Sequence, residues 1–100
     1  MMPYKNPSPG KVKNAHPLLV TCMQCKHDLC VYWKVGRGNL IKLQIHRIIE
    51  SAYDFGRRDN ALLCPHCQEQ LGSLSEHKGR SCYFLHRGRV QTKRLQHYKC

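Results

Sequence analysis

Two cysteine pairs, Cys22-Met23-Gln24-Cys25 and Cys64-Pro65-His66-Cys67, carry the clearest chemistry in this chain. Two residues between cysteines let the backbone curl until both sulfurs face one point, and amides in such a turn donate to the thiolates. Two turns of this kind supply four sulfurs. That is the full complement of a tetrahedral zinc site, with no position left for water or substrate. The pattern predicts one structural Zn2+ per chain on Cys22, Cys25, Cys64 and Cys67, with iron as the main rival metal. The 38 residues between the pairs exceed the commonest zinc-ribbon spacing. A redox dithiol would want its pair at a helix start within a βαβ pattern, and neither pair has that context.

The remaining candidates are weaker. His27 and His66 lie beside or inside the cysteine turns, but four sulfurs already complete the site. His16, His77, His86 and His97 are scattered surface positions, and His46 falls on the outward face of its strand. Cys30 and Cys82 sit in apolar runs, where a free cysteine acts as a small buried hydrophobe. The functional alternative makes Cys82 a nucleophile activated by His86 or Arg80. Cys100 is a thiol on a polar tail.

These residues need a scaffold, and the chain is short. One hundred residues make one domain. Residues 1–17 are rich in proline and polar side chains and suggest a flexible or loosely docked N-terminal arm. Residues 18–95 form the expected metal-binding domain, and residues 96–100 a basic tail. A folded part of roughly 80 residues gains only a few kcal/mol from its core and needs a staple. Leu18-Leu19-Val20 is too short for a signal peptide, and no run is long enough for a membrane span. The expectation is an intracellular, reducing setting: cytoplasm, or nucleus in a eukaryote.

Strand signals surround the cysteines. Leu29 to Val35 alternates, with Leu29, Val31, Trp33 and Val35 on one face; Leu40 to His46 alternates again. Gly36-Arg37-Gly38-Asn39 between them suggests a β-hairpin. Ile45, Ile48, Ile49, Ala52 and Tyr53 also fit helical spacing, so residues 47–53 are ambiguous between strand and a helical turn. Residues 68–79 suggest loop or irregular structure. Ser81 to His86 predicts a third strand, which Arg87-Gly88-Arg89 turns into a fourth over Val90 to Arg94. A faint echo relates the halves: Leu29 and Leu71 each follow their second cysteine by four residues, suggesting two similar units sharing one metal.

The formal charge is +11, with 17 basic and six acidic residues. It stays at roughly +9 once four thiolates hold a divalent ion. Such a charge fits contact with nucleic acid or with an acidic protein or membrane surface, and charge alone does not separate these from a merely solvated basic surface. Arg57, Arg58, Arg87, Arg89, Lys93 and Arg94 are the candidate contacts, while Tyr32, Trp33, Tyr83 and Phe84 divide between core and stacking surface.

Cys64-Pro65-His66-Cys67 followed by Leu71-Gly72 resembles the second knuckle of Yippee-like zinc proteins, which share the β-tent fold with the thalidomide-binding domain of cereblon. Ser73-Leu74 stands where that family has an aromatic residue. Generic zinc ribbons are the rival, although the glycine that often follows their cysteine pairs is absent after Cys25 and Cys67. Gly79-Arg80-Ser81-Cys82 is faintly similar to the catalytic-cysteine neighbourhood of methionine-R-sulfoxide reductases, which implies a thiol role for Cys82 alone. The resulting expectation is a mostly β, small zinc-stabilised antiparallel domain, β-tent or zinc-ribbon-like, serving as a binding or interaction module. Nucleic-acid binding and a thiol enzyme using Cys82 are the alternatives.

Overall fold

A computed structural model describes residues 4–6, 14–35, 40–55 and 59–95. These residues form nine strands and one short 3-10 turn. In chain order the strands are β1 (Tyr4–Lys5), β2 (His16–Cys22), β3 (Asp28–Lys34), β4 (Lys42–Gln44), β5 (Ile48–Ser51), β6 (Ala61–Leu63), β7 (Gln70–His77), β8 (Arg80–Leu85) and β9 (Val90–Arg94). The 3-10 turn, Ile45–Arg47, joins β4 to β5. The fold is mostly β, as expected, in two antiparallel sheets. The larger has the order β1-β5-β3-β2-β9, and the smaller β4-β8-β7-β6. No described helix is long and apolar enough to cross a membrane.

The main core lies where the sheets face each other. The larger sheet contributes Val20, Cys30, Tyr32 and Ile48, and the smaller one Leu43, Leu62, Leu71 and Tyr83. Tyr53, Phe55 and Tyr83 meet edge-to-face, with ring centroids 5.0 to 6.4 Å apart, a geometry that sets ring edges against π faces. The two tyrosine hydroxyls are satisfied by one residue: Tyr53 donates to the Asp59 carboxylate at 2.9 Å and Tyr83 to the Asp59 carbonyl at 2.6 Å. Buried Ser51 donates to the Leu29 carbonyl and accepts from the Tyr53 amide, so its burial leaves no polar group stranded. Val31, Trp33 and Ile49 form a second cluster.

Several expectations need correction. The runs 29–35 and 40–46 are not partners: β3 pairs with β2 and β5, whereas β4 pairs with β8 in the other sheet. The glycine-rich segment 36–39 lies outside the described residues. β3 is buried along Leu29 to Trp33, so both of its faces find apolar cover and its alternation is only half of its environment. The helical spacing at residues 47–53 is overridden by pairing: Ile48–Ser51 form β5, and only Ile45–Arg47 turn helically. Residues 70–77, expected to be irregular, are the longest strand. The last strand follows β8 as expected, but pairs with β2. Within the segment assigned to an arm, Tyr4–Lys5 pair with β5, and Asn6 donates its side-chain amide to the Ile48 carbonyl at 2.9 Å. His16 and Pro17 already belong to β2.

Two hairpins of the smaller sheet show why its residues sit where they do. β7 and β8 are joined by Lys78 and Gly79, with φ of 52° and 76°. Two successive left-handed residues match the primed hairpin turn whose twist suits antiparallel strands. At Gly72 a Cβ would stand 2.6 Å from the Phe84 carbonyl oxygen, so the close approach of β7 to β8 demands a residue without a side chain.

Candidate metal centre

Each cysteine pair forms the tip of a hairpin, and the hairpins belong to different sheets. Cys22 ends β2, and the turn through Cys25 leads into β3; Cys64 follows β6, and the turn through Cys67 leads into β7. The two turns share one hydrogen-bond plan. Cys22 donates its amide to the His27 carbonyl while Lys26 donates back to the Cys22 carbonyl. Cys64 donates to the Glu69 carbonyl while Gln68 donates back to the Cys64 carbonyl. All four bonds are 2.9 to 3.0 Å. Lys26 and Gln68 adopt φ of 65° and 66°, so the faint internal echo of the sequence is a repeated local structure.

The sulfurs meet between the tips. Cys22 Sγ lies 3.7 Å from Cys67 Sγ, and Cys25 Sγ lies 3.6 Å from Cys64 Sγ. All four sulfurs fall within 4.8 Å of one another. A tetrahedron with metal–sulfur bonds of about 2.3 Å has edges of about 3.8 Å, and a disulfide would need about 2.05 Å. The spacing fits four ligands around one ion and excludes disulfides between these contacting sulfurs. The four cysteines form a cluster that can hold one metal ion. Cys22 and Cys64 are buried at the inner side, with Cys25 and Cys67 partly exposed.

The thiols are held in unequal states. Burial raises the Cys22 thiol, but the amides of Cys25 and Gln24 and the sulfurs of Cys67 and Cys25 outweigh it and bring Cys22 down to about 7. The Glu69 amide lowers Cys67, but burial and the sulfurs of Cys22, Cys64 and Cys25 together push it up to about 12. Cys25 is likewise raised: the His27 amide lowers it, against burial and the sulfurs of Cys64 and Cys22. Four thiolates repel each other when nothing positive sits between them, so the cluster resists full ionisation until a cation supplies the missing charge.

The two histidines beside the cysteines have a different job from ligation. The rings of His27 and His66 stack at 3.5 Å between centroids, inclined by 25°. They join the two tips on the exposed side, so each contributes contact between the hairpins. Cys30 and Cys82, the other described cysteines, are fully buried and unpaired. Burial pushes the Cys30 thiol far up, and it raises Cys82 against the opposing charge of Lys42. Cys82 therefore has neither solvent access nor a lowered pKa, the two attributes of a reactive thiol.

Among the described residues, the expected basic contacts do not share one face. Arg57 and Arg58 lie outside the described residues. Arg87 and Arg89 occupy the turn before β9, where Arg89 is tied to the Glu69 carboxylate. Lys93 and Arg94 are consecutive on β9, paired across from Leu19 and Leu18, and so face opposite ways. A second group was missed. Lys42, Ser73, His77, Arg80, Phe84 and His86 share the outer face of the smaller sheet: the register sets Lys42 and Ser73 on either side of Phe84, and His77 across from Arg80. Its signal was the alternation of Phe84 and His86 in a strand visible in the sequence, with Arg80 just before it. Comparison with known proteins leaves the family open: no family model, curated protein or solved structure matches the chain.

Proposed function

We propose that the chain is a small zinc-binding β domain that works by binding a partner, with zinc as a structural clasp between its two sheets. The observation that carries this reading is the sulfur geometry: four thiols from two hairpin tips, cross-paired at 3.6 and 3.7 Å. Zn2+ takes four thiolates in a closed tetrahedron, and a closed site has no position for substrate. Metal binding of this kind contributes on the order of 10 kcal/mol in small zinc peptides, more than the core of so short a chain supplies by itself. Because one cysteine pair rides on each sheet, that free energy acts directly on the association of the two sheets.

Two knuckle-tipped hairpins on two antiparallel sheets also support the resemblance to β-tent proteins. The competing reading, a thiol enzyme using Cys82, has the full burial of that residue against it.

The test is metal analysis of protein purified without added zinc, with absorption spectra to separate zinc from iron. One colourless zinc per chain, and unfolding on chelation, are the expected results. Iron–thiolate absorption would reassign the metal. A metal-free chain that keeps its fold would defeat the proposal.

A further inference from the structure

The outer face of the smaller sheet has a composition that a merely solvated surface does not need. Phe84 stands at its centre with 38 % of its surface exposed. Lys42 Nζ lies 5.9 Å from the Phe84 ring centroid and also contacts the His77 ring, 3.3 Å from its Nδ1. On the other side Ser73 Oγ is 2.9 Å from His86 Nε2. Arg80, on the same alternation, completes a row of cationic and hydrogen-bonding groups around one aromatic ring. Acidic residues are missing from this face. The chain has only six, and the one on these four strands, Glu76, alternates to the opposite side from Ser75 and His77.

The charges make themselves felt locally. Burial lowers the pKa of His77, and Lys42 and Lys78 lower it further; burial, Arg80 and Arg47 act in the same direction on His46. Among the described residues, no carboxylate offsets these cations at either histidine.

We infer that this face is a stacking platform for single-stranded nucleic acid, with Phe84 receiving a base and Lys42 and Arg80 receiving flanking phosphates. A sheet face that presents an exposed aromatic among cations suits unpaired strands, because every base has a π face and every linkage a negative charge. A duplex hides its base faces and offers only phosphates. An acidic protein offers charge without bases. The aromatic ring is what separates these partners. The inference rests on the folded, metal-clasped domain proposed above, and adds a partner for it.

The experiment is fluorescence anisotropy of the metal-loaded protein with a short labelled oligothymidine, at low salt and across a salt series. Duplex of the same length and polyglutamate serve as competitors, and metal content and circular dichroism are recorded for every variant. The labelled strand is expected to bind, and to resist both competitors at equal charge. Phe84→Leu, which keeps apolar bulk but removes the ring, is expected to weaken binding about tenfold, or about 1.4 kcal/mol. If Phe84→Leu lowers metal content or fold, Phe84→Tyr is the second arm and retains affinity because it retains the ring. Lys42→Gln is expected to flatten the dependence of log K on log salt by about 0.7. Equal affinity for duplex or polyglutamate, unchanged binding by folded Phe84→Leu, loss of binding in folded Phe84→Tyr, or no binding at low salt by metal-loaded wild type would each overturn the inference. Those results leave the zinc proposal intact, which fails separately if wild-type protein carries no metal.

Discussion

Lys26 and Gln68 occupy the same place in two turns that are distant in sequence: each is left-handed, with φ of 65° and 66°, and each returns its amide to the carbonyl of the cysteine four residues before it. That conformation brings the side chain's Cβ against the following carbonyl oxygen, at a cost of roughly 1–2 kcal/mol for an L-residue. It explains why glycine often follows such cysteine pairs. Here the paired hydrogen bonds of each turn hold a lysine and a glutamine in glycine's place.

Replacing either residue with glycine should therefore help. Glycine removes the steric cost but loses more backbone entropy on folding, roughly 0.5–1 kcal/mol, so a net gain of about 0.5–1 kcal/mol is expected for Gln68→Gly or Lys26→Gly. Urea unfolding of the metal-loaded protein reads it as a higher midpoint at constant slope. A lower midpoint for both variants would show that the left-handed turns carry no strain.

Cysteine substitutions should separate the clasp from the core. Cys64→Ser removes a ligand, so the protein should lose its metal and unfold. Cys30→Ala leaves the four sulfurs untouched and should retain one metal per chain, with stability lowered by the small cavity. His27→Ala and His66→Ala remove a ring stack, worth about 0.5–1.5 kcal/mol, and should also retain the metal. Stoichiometric loss of metal from either histidine variant would mean that histidine, rather than one of the four thiols, is a ligand.

The ease with which parts of this molecule are seen in its sequence follows the range of the interaction involved. The cysteine turns are local: two intervening residues dictate both sulfur positions, and the cluster brings together the four residues that spacing alone selects. Strand pairing is not local. β3 and β4 are each visible as alternating runs, but the partner of β4 is β8, with Lys42 opposite Phe84, and no spacing rule links them. β7 fails for a different reason. Its only large apolar side chains are Leu71 and Leu74, because its outer face is built from Ser73, Ser75 and His77, and hydrophobic periodicity is blind to a polar face. The turn at Lys78-Gly79 was the available clue. The basic cluster has no run along the chain to mark it, because the fold assembles it across strands.

Gly72→Ala probes the close approach of β7 to β8. The added methyl group would meet the Phe84 carbonyl oxygen at 2.6 Å, and neither atom sits on a side chain that can swing away. Overpacking of this kind costs typically about 1–3 kcal/mol. A thermal melt should show the loss, with metal stoichiometry unchanged because both cysteine turns lie beyond the clash. An unshifted melting temperature would mean that the two strands separate freely at this point.

Alkaline pH tests the buried thiols outside the clasp. Cys30 and Cys82 both have pKa values raised by burial above the ordinary 9.0. A folded-state pKa above the unfolded one means that the folded chain holds a proton the unfolded chain has lost. The associated stability is complete below pH 9 and falls as pH rises beyond it, by up to about 1.4 kcal/mol per pH unit for each such group. Unfolding free energy measured between pH 8 and 11 should therefore decline more steeply in the wild type than in Cys30→Ala. The difference in slope isolates Cys30 from the four clustered thiols and from the tyrosines, which are common to both proteins. Parallel curves would place the Cys30 sulfur in contact with water, contrary to its complete burial on β3, the strand between β2 and β5.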